Sequence, residues 1–104
     1  MDRFAIVYRP GDSWEPDTAW QEQGLYRHGA YMDELFRSGT LLYGGPFDDD
    51  TGGLAIVEAP DVATVEDIVD DDPAVESGLF DASVHPWVTV FDQPAGRNEF
   101  GGDS

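Results

Sequence analysis

Four short stretches of the chain have the composition of β-strands. They combine β-branched and aromatic residues, and they are bounded by Gly, Pro and Asp, which favour turns. They cover residues 3–9, 40–45, 53–59 and 82–92. Only a short segment rich in Gly and Asp separates the second stretch from the third, which predicts a β-hairpin between them.

Two longer segments, residues 17–37 and 61–70, repeat apolar residues at the spacing of an amphipathic helix. In the first segment the positions that share one face are Leu25, His28, Met32, Leu35 and Phe36. A third, much shorter helix is predicted after the second. Asp72 suits its N-cap, Pro73 its first helical position and Gly78 its end.

The order of these elements is β-α-β-β-α-β. It predicts an α+β fold of the ferredoxin-like type, with one four-stranded sheet and the helices on one of its faces. The strands are apolar on both sides, and an uncovered apolar face needs a partner, so we expect a homodimer that buries the two sheets face to face. We expect one domain over residues 1–92 and a flexible, acidic and Gly-rich tail over residues 93–104.

The charge balance narrows the classes of partner. The 104 residues include 22 Asp and Glu, five Arg and no Lys, for a net charge of −17. Neither nucleic acid nor an anionic membrane is an expected partner, because both need a cluster of basic residues. Such an acidic surface repels itself in dilute buffer and is screened at molar salt, which predicts haloadaptation. The start of the chain lacks the pattern of a signal peptide, so we expect a cytoplasmic protein.

His28 is the leading candidate for chemistry. It is one of two histidines in a chain without cysteine, and it lies on the predicted inward face of the first helix. An imidazole titrates near neutral pH and can act as a general acid or base. The alternative is a core histidine that bonds a backbone carbonyl, and the pattern leaves both interpretations open.

Residues at the predicted strand ends are candidates for the lining of a pocket. Tyr8, near the end of the first strand, is a candidate hydrogen-bond donor. Gly44, Gly45 and Pro46 end the second strand. The two glycines lack a Cβ and would let a ligand approach the backbone. A strand that ends in a tight turn explains these three equally well. No spacing of His and acidic residues matches a metal motif, and we predict neither a metal nor an organic cofactor.

Four pieces of the sequence, taken in their order and spacing, match one known family. They are His28-x3-Met32-x2-Leu35-x3-Gly39, Leu41-Leu42-Tyr43-Gly44-Gly45-Pro46, Asp72-Pro73 with Ser77-Gly78-Leu79, and Pro86-Trp87. On these pieces the chain resembles the YCII-related family over about residues 3–92. The resemblance implies a dimeric α/β barrel, an enzymatic function, and a site that contains His28 and Asp72. We expect Pro73 to line the same pocket. The alternative for Asp72 is that it only caps the short helix.

Together these features predict a small homodimeric enzyme that acts on a small organic molecule with His28 and Asp72 as a general acid–base pair. A carboxylate that accepts a hydrogen bond from one imidazole nitrogen fixes the tautomer and leaves the other nitrogen free. Two alternatives stay open. One is a non-catalytic dimeric domain that binds a small ligand, and the other is a purely structural interaction domain.

Overall fold

A computed structural model describes residues 1–100 of the chain. Its main sheet is antiparallel and contains β1 (Asp2–Pro10), β2 (Leu41–Pro46), β3 (Gly53–Ala59) and β4 (Phe80–Trp87). The helices are α1 (Tyr26–Arg37), α2 (Val62–Asp70) and α3 (Pro73–Glu76). The strand order is β2-β3-β1-β4, and the predicted ferredoxin-like α+β fold is confirmed.

Strand β1 is an inner strand of the sheet, because it pairs with β3 on one side and with β4 on the other. Phe4, Ile6 and Tyr8 point to the side covered by the helices and are buried. Ile6 lies between Ala55 of β3 and Val84 of β4 in the register of the two ladders. The period of two seen in the sequence therefore places the three middle residues of this side in the core, while Asp2 and Pro10 at the strand ends are exposed.

The opposite face of the sheet remains partly open in the single chain and carries polar as well as apolar side chains, among them Arg3 paired with Glu58. The expectation of strands that are apolar on both sides is therefore met only in part. Val7 lies on this face between Leu54 and Ser83. Leu54 is 39% exposed, and Trp87 at the end of β4 is 42% exposed. Large apolar side chains that share one accessible face are typical of a surface that binds another protein.

Helix α1 is shorter than the periodicity predicted, because it begins at Tyr26 and not at residue 17. Two residues before it have positive φ angles that an α-helix does not allow, Asp17 at 57° and Gly24 at 74°. The segment between them contains one turn of 3₁₀-helix, Trp20–Glu22. The expectation of a helix over residues 17–25 was therefore wrong, and this segment belongs to a long loop that follows β1.

In this loop the side chain of Gln23 forms hydrogen bonds with backbone groups that have no helical partner. It is buried, accepts a hydrogen bond from the N–H of Glu15, and donates to the carbonyl groups of Glu15 and Thr18. A buried amide with these partners stabilises one loop conformation. The loop therefore has a fixed shape although it has little regular secondary structure.

Strand β4 also differs from its predicted bounds of 82–92. It starts at Phe80 and ends at Trp87, because Trp87 pairs with Arg3 close to the first residue of β1. The chain continues into a small hairpin of β5 (Phe91–Asp92) and β6 (Arg97–Asn98), so part of the expected tail is ordered against the preceding residues. Residues 101–104 of that tail lie outside the described residues, and its flexibility stays a prediction. None of the helices in residues 1–100 has the length and apolar content to cross a membrane.

The hairpin turn between β2 and β3 depends on Gly52. This residue has a φ of 129°, and an added Cβ would overlap the carbonyl oxygen of Tyr8. We expect Gly52→Ala to lower the free energy of unfolding by at least about 2 kcal/mol, because the added Cβ keeps the turn from approaching the backbone of Tyr8. Gly45→Ala is the matched control in the same hairpin, since a Cβ there meets nothing within 4 Å. Equal midpoints of urea unfolding for the two variants would contradict the prediction.

Candidate active site

The imidazole of His28 and the carboxylate of Asp72 meet although the two residues are 44 positions apart. Nδ1 of His28 lies 2.7 Å from one carboxylate oxygen of Asp72 and 2.9 Å from the other. An ionised carboxylate only accepts hydrogen bonds, so Nδ1 carries the proton in this contact. Nε2 has no hydrogen-bond partner among the described residues. The pair therefore has the geometry in which one nitrogen is oriented and the other is available.

Asp72 also caps helix α3. Its carboxylate accepts a hydrogen bond of 2.9 Å from the N–H of Ala74, and Pro73 occupies the first helical position, as the sequence predicted. Asp72 is fully buried, and among the acidic residues of the described chain it alone is buried. The capping interpretation and the site interpretation of Asp72 are therefore compatible, because one carboxylate performs both tasks.

Aromatic rings hold the imidazole of His28 in place. Its centroid lies 5.3 Å from the ring of Tyr8 and 5.3 Å from the ring of Phe80, both in edge-on arrangements. Trp14 stacks on Phe80 from the long loop at 5.4 Å. Edge-to-face contacts of this kind restrict the rotation of a ring. His28 is thus positioned by packing as well as by its hydrogen bond.

The imidazole faces a cavity of about 240 Å³ between α1 and the hairpin of β2 and β3. The lining residues are Tyr8, Trp20, Leu25, His28, Gly29, Met32, Leu41, Gly44, Gly45, Pro46, Gly53, Leu54 and Phe80. His28 is the one residue of this lining with an imidazole, a group that can act as a general acid or base. Among the described residues, no Arg, Asp or Glu lines the cavity, so the cavity suits an uncharged or weakly charged molecule.

The structure brings together most of the residues that the sequence singled out. His28, Tyr8 and the segment from Gly44 to Pro46 line the cavity, and Asp72 lies behind His28. Pro73 is not among the lining residues in the described part of the chain. The second histidine, His85, is exposed and contacts Ser83 at 3.0 Å on the outer face of the sheet, away from the cavity.

Trp20 is the main lining residue that sequence reasoning missed. It was assigned to a helix that does not form, and its place depends on a contact between two loops. The backbone N–H of Trp20 donates a 2.9 Å hydrogen bond to the carboxylate of Asp50, in the turn between β2 and β3. This bond joins the long loop to the hairpin at the edge of the cavity. No local pattern in the sequence indicates it.

Two tyrosines near the pair keep their protons over a wide pH range. Burial raises the pKa of Tyr8 well above its ordinary value, and the negative charge of Asp72 adds to this effect. Burial, followed by the charge of Asp71, raises the pKa of Tyr31 to about 12. Tyr31 donates a 2.7 Å hydrogen bond to the carbonyl of Ile68 and thereby joins α1 to α2. Both hydroxyl groups are therefore donors and not bases at neutral pH.

The double task of Asp72 predicts a large loss of stability when it is removed. We expect Asp72→Ala to lower the free energy of unfolding by about 2–3 kcal/mol, because the imidazole loses its partner and α3 loses its cap. Asp61→Ala is the matched control. Its carboxylate caps α2 through the N–H of Thr64 in the same way but contacts no imidazole. Chemical denaturation of both variants should give a smaller loss for Asp61→Ala, and equal losses would show that the His28 contact stabilises nothing.

Comparison with known proteins agrees with this architecture. The chain is 33% identical over 68 residues to YjpA, an uncharacterized protein of Bacillus subtilis (strain 168), and the match covers 65% of this chain and 80% of YjpA. A similar solved structure is 5-chloro-2-hydroxyhydroquinone dehydrochlorinase (TftG) from Burkholderia phenoliruptrix AC1100, in complex with 2,5-dihydroxybenzoquinone. Its TM-score is 0.61 and its identity 28%, over 82% of this chain and 93% of TftG. The model of the YCII-related domain matches residues 4–88, and the chain therefore belongs to the YCII-related family.

Proposed function

We propose that the protein is an enzyme that moves a proton on a small organic molecule, with His28 as the general base and Asp72 as the group that orients it. The observation that carries this proposal is the 2.7 Å contact of Nδ1 with a buried carboxylate, made by a histidine that faces a cavity. General acid–base catalysis needs this combination of an oriented imidazole and an open second nitrogen.

The lining of the cavity supports a substrate that is mostly apolar, and the comparison with TftG suggests a hydroxylated ring. Tyr8, Trp20 and Phe80 supply aromatic surface to the wall, and no Arg lines it among the described residues. A cavity of about 240 Å³ has room for a single small ring. TftG, which has a similar fold, is a dehydrochlorinase of a chlorinated hydroxyhydroquinone and was solved with a dihydroxybenzoquinone. We propose a phenolic or quinone-like compound as the substrate class.

The proposed step is the removal of a proton from a substrate hydroxyl group. Nε2 of His28 forms the new N–H bond, and the electron pair of the broken O–H bond stays on the substrate oxygen. The imidazole becomes a cation, and the charge of Asp72 stabilises it at 2.7 Å. The imidazolium can return this proton to a ring carbon, and the base is then free to take a second hydroxyl proton. In the chlorinated test compound, the electron pair left by the second proton expels chloride, so HCl is released in total and the second proton finally passes to solvent water.

The test measures chloride release from 5-chloro-2-hydroxyhydroquinone and the binding of 2,5-dihydroxybenzoquinone. We expect His28→Gln to lower the rate by about 10²–10⁴-fold, the usual contribution of a positioned general base. His85→Gln is the matched control because it removes the other histidine, which is exposed and lies outside the cavity. Circular dichroism checks that both variants remain folded.

Each outcome separates the enzyme from its alternative. A rate that falls only in His28→Gln supports the acid–base function. Saturable binding of the quinone without turnover of any offered substrate supports the non-catalytic binding domain instead. Equal rates in wild type and His28→Gln would remove His28 from the mechanism.

We also propose that the protein is a homodimer adapted to high salt. The open outer face of the sheet, which includes Val7, Leu54 and Trp87, is the surface that a second copy would cover. The net charge of −17 on each chain opposes this association at low ionic strength. At about 1 M salt the Debye length falls to about 3 Å, and the repulsion between two copies largely disappears.

We expect both dimerisation and stability against unfolding to increase with the concentration of KCl. Light scattering in 2 M KCl should give a mass twice the 11.4 kDa of the chain, and the unfolding midpoint should rise between 0.1 M and 2 M KCl. Val7→Glu places a charge in the middle of the outer face and should give a monomer in 2 M KCl. A monomeric wild type, or a midpoint that does not rise with salt, would contradict the corresponding half of this proposal.

A further inference from the structure

The hydroxyl group of Tyr8 is a buried donor with a weak partner. Tyr8 is only 3% exposed, and its hydroxyl contacts the thioether sulfur of Met32 at 3.8 Å. Thioether sulfur is a poor acceptor, whereas a buried tyrosine hydroxyl generally binds an oxygen. Tyr31 illustrates the usual case, since its hydroxyl donates to a carbonyl oxygen at 2.7 Å. The donor capacity of Tyr8 is therefore largely unused within the described chain.

The unused donor lies beside the proposed base. The ring of Tyr8 is edge-on to the imidazole of His28, with centroids 5.3 Å apart, and both residues line the same cavity together with Met32. The side chain of Met32 is flexible, and it can give up its contact with the hydroxyl without leaving an unsatisfied polar atom. Because Tyr8 and His28 line the same cavity with their rings in contact, one small molecule bound there can contact both side chains.

The protonation state of Tyr8 fits a donor. Its buried surroundings and the nearby charge of Asp72 both oppose ionisation of the phenol, so the O–H bond persists at neutral pH. A neutral donor in a mostly apolar cavity forms its strongest hydrogen bond with an acceptor that carries negative charge. The oxygen of a substrate acquires such charge when a neighbouring base removes its proton.

We infer that Tyr8 is a second catalytic residue of this site. Its hydroxyl donates a hydrogen bond to the substrate oxygen that keeps the electron pair when His28 takes the proton, and it stabilises the anion so formed. Tyr8 itself neither gains nor loses a proton in the step. This assignment rests on the proposed function, and it adds the group that binds the product of proton transfer.

The test compares Tyr8→Phe with Tyr31→Phe, which removes a hydroxyl group of the same kind from the same helix–sheet region but outside the cavity. The probe is 2,5-dihydroxybenzoquinone, followed by its visible absorption and by the quenching of tryptophan fluorescence from Trp20. We expect Tyr8→Phe to weaken binding by at least about tenfold, the value of one hydrogen bond to a charged acceptor. We also expect it to shift the absorption band of the bound probe, which a purely structural role of Tyr8 would not do.

The melting temperatures of the two variants should follow the opposite order from their affinities for the probe. Tyr8→Phe loses only a contact with sulfur, and its melting temperature should stay within about 4 °C of the wild type. Tyr31→Phe loses a bond to a carbonyl oxygen and should melt at a lower temperature while it binds the probe with wild-type affinity and band position. This opposite pattern distinguishes a ligand donor from a structural hydrogen bond.

The outcomes also separate this inference from the function on which it rests. Unchanged affinity and band position in a folded Tyr8→Phe, with binding weakened in His28→Gln, would overturn the role of Tyr8 alone. Failure of the wild type to bind the probe or to act on the chlorinated hydroquinone would overturn both. If binding is lost in Tyr8→Phe and in His28→Gln but kept in Tyr31→Phe, the result supports the role of Tyr8 and the proposed function together.

Discussion

The buried carboxylate of Asp72 is the constraint on which the rest of the site depends. A carboxylate removed from water is costly unless hydrogen bonds satisfy it, and removal of its partners leaves an uncompensated charge. Asp72 is satisfied from two directions, by the N–H of Ala74 and by Nδ1 of His28. The first bond belongs to α3 and the second to α1. One charged group thus fixes a helix start, the packing of two helices and the orientation of the imidazole.

The cavity in front of this pair exists because the chain places small residues where α1 faces the hairpin. A Cβ added at Gly29 or Gly45 would contact nothing within 4 Å, so the space they leave is open. A glycine inside a helix lowers its stability by about 1 kcal/mol relative to alanine. The position of Gly29 beside His28, on the lining of the cavity, gives this cost a physical reason. Stability is reduced beside the cavity, where the proposed substrate would need room.

The long loop after β1 shows where local patterns fail. The sequence predicts a helix from residue 17, yet the positive φ angles of Asp17 and Gly24 exclude one there, and the side chain of Gln23 binds the loop backbone instead. The hydrogen bond from Trp20 to Asp50 then joins this loop to a turn 30 residues away. Periodicity reports which residues are apolar. It does not predict that a buried amide side chain will form the hydrogen bonds with the loop backbone that a helix would otherwise form internally.

The sequence by itself determined the ferredoxin-like order of strands and helices, because alternation and helical spacing depend on neighbouring residues. It also identified His28 as an imidazole on an inward face, and Asp72 as the cap of a short helix. Only the tertiary structure decided that these two groups meet at 2.7 Å, that Trp20 reaches the cavity, and that the hydroxyl of Tyr8 contacts the sulfur of Met32. Each of these contacts joins segments far apart in the chain, and their distances follow from how α1 packs on the sheet and not from any local pattern.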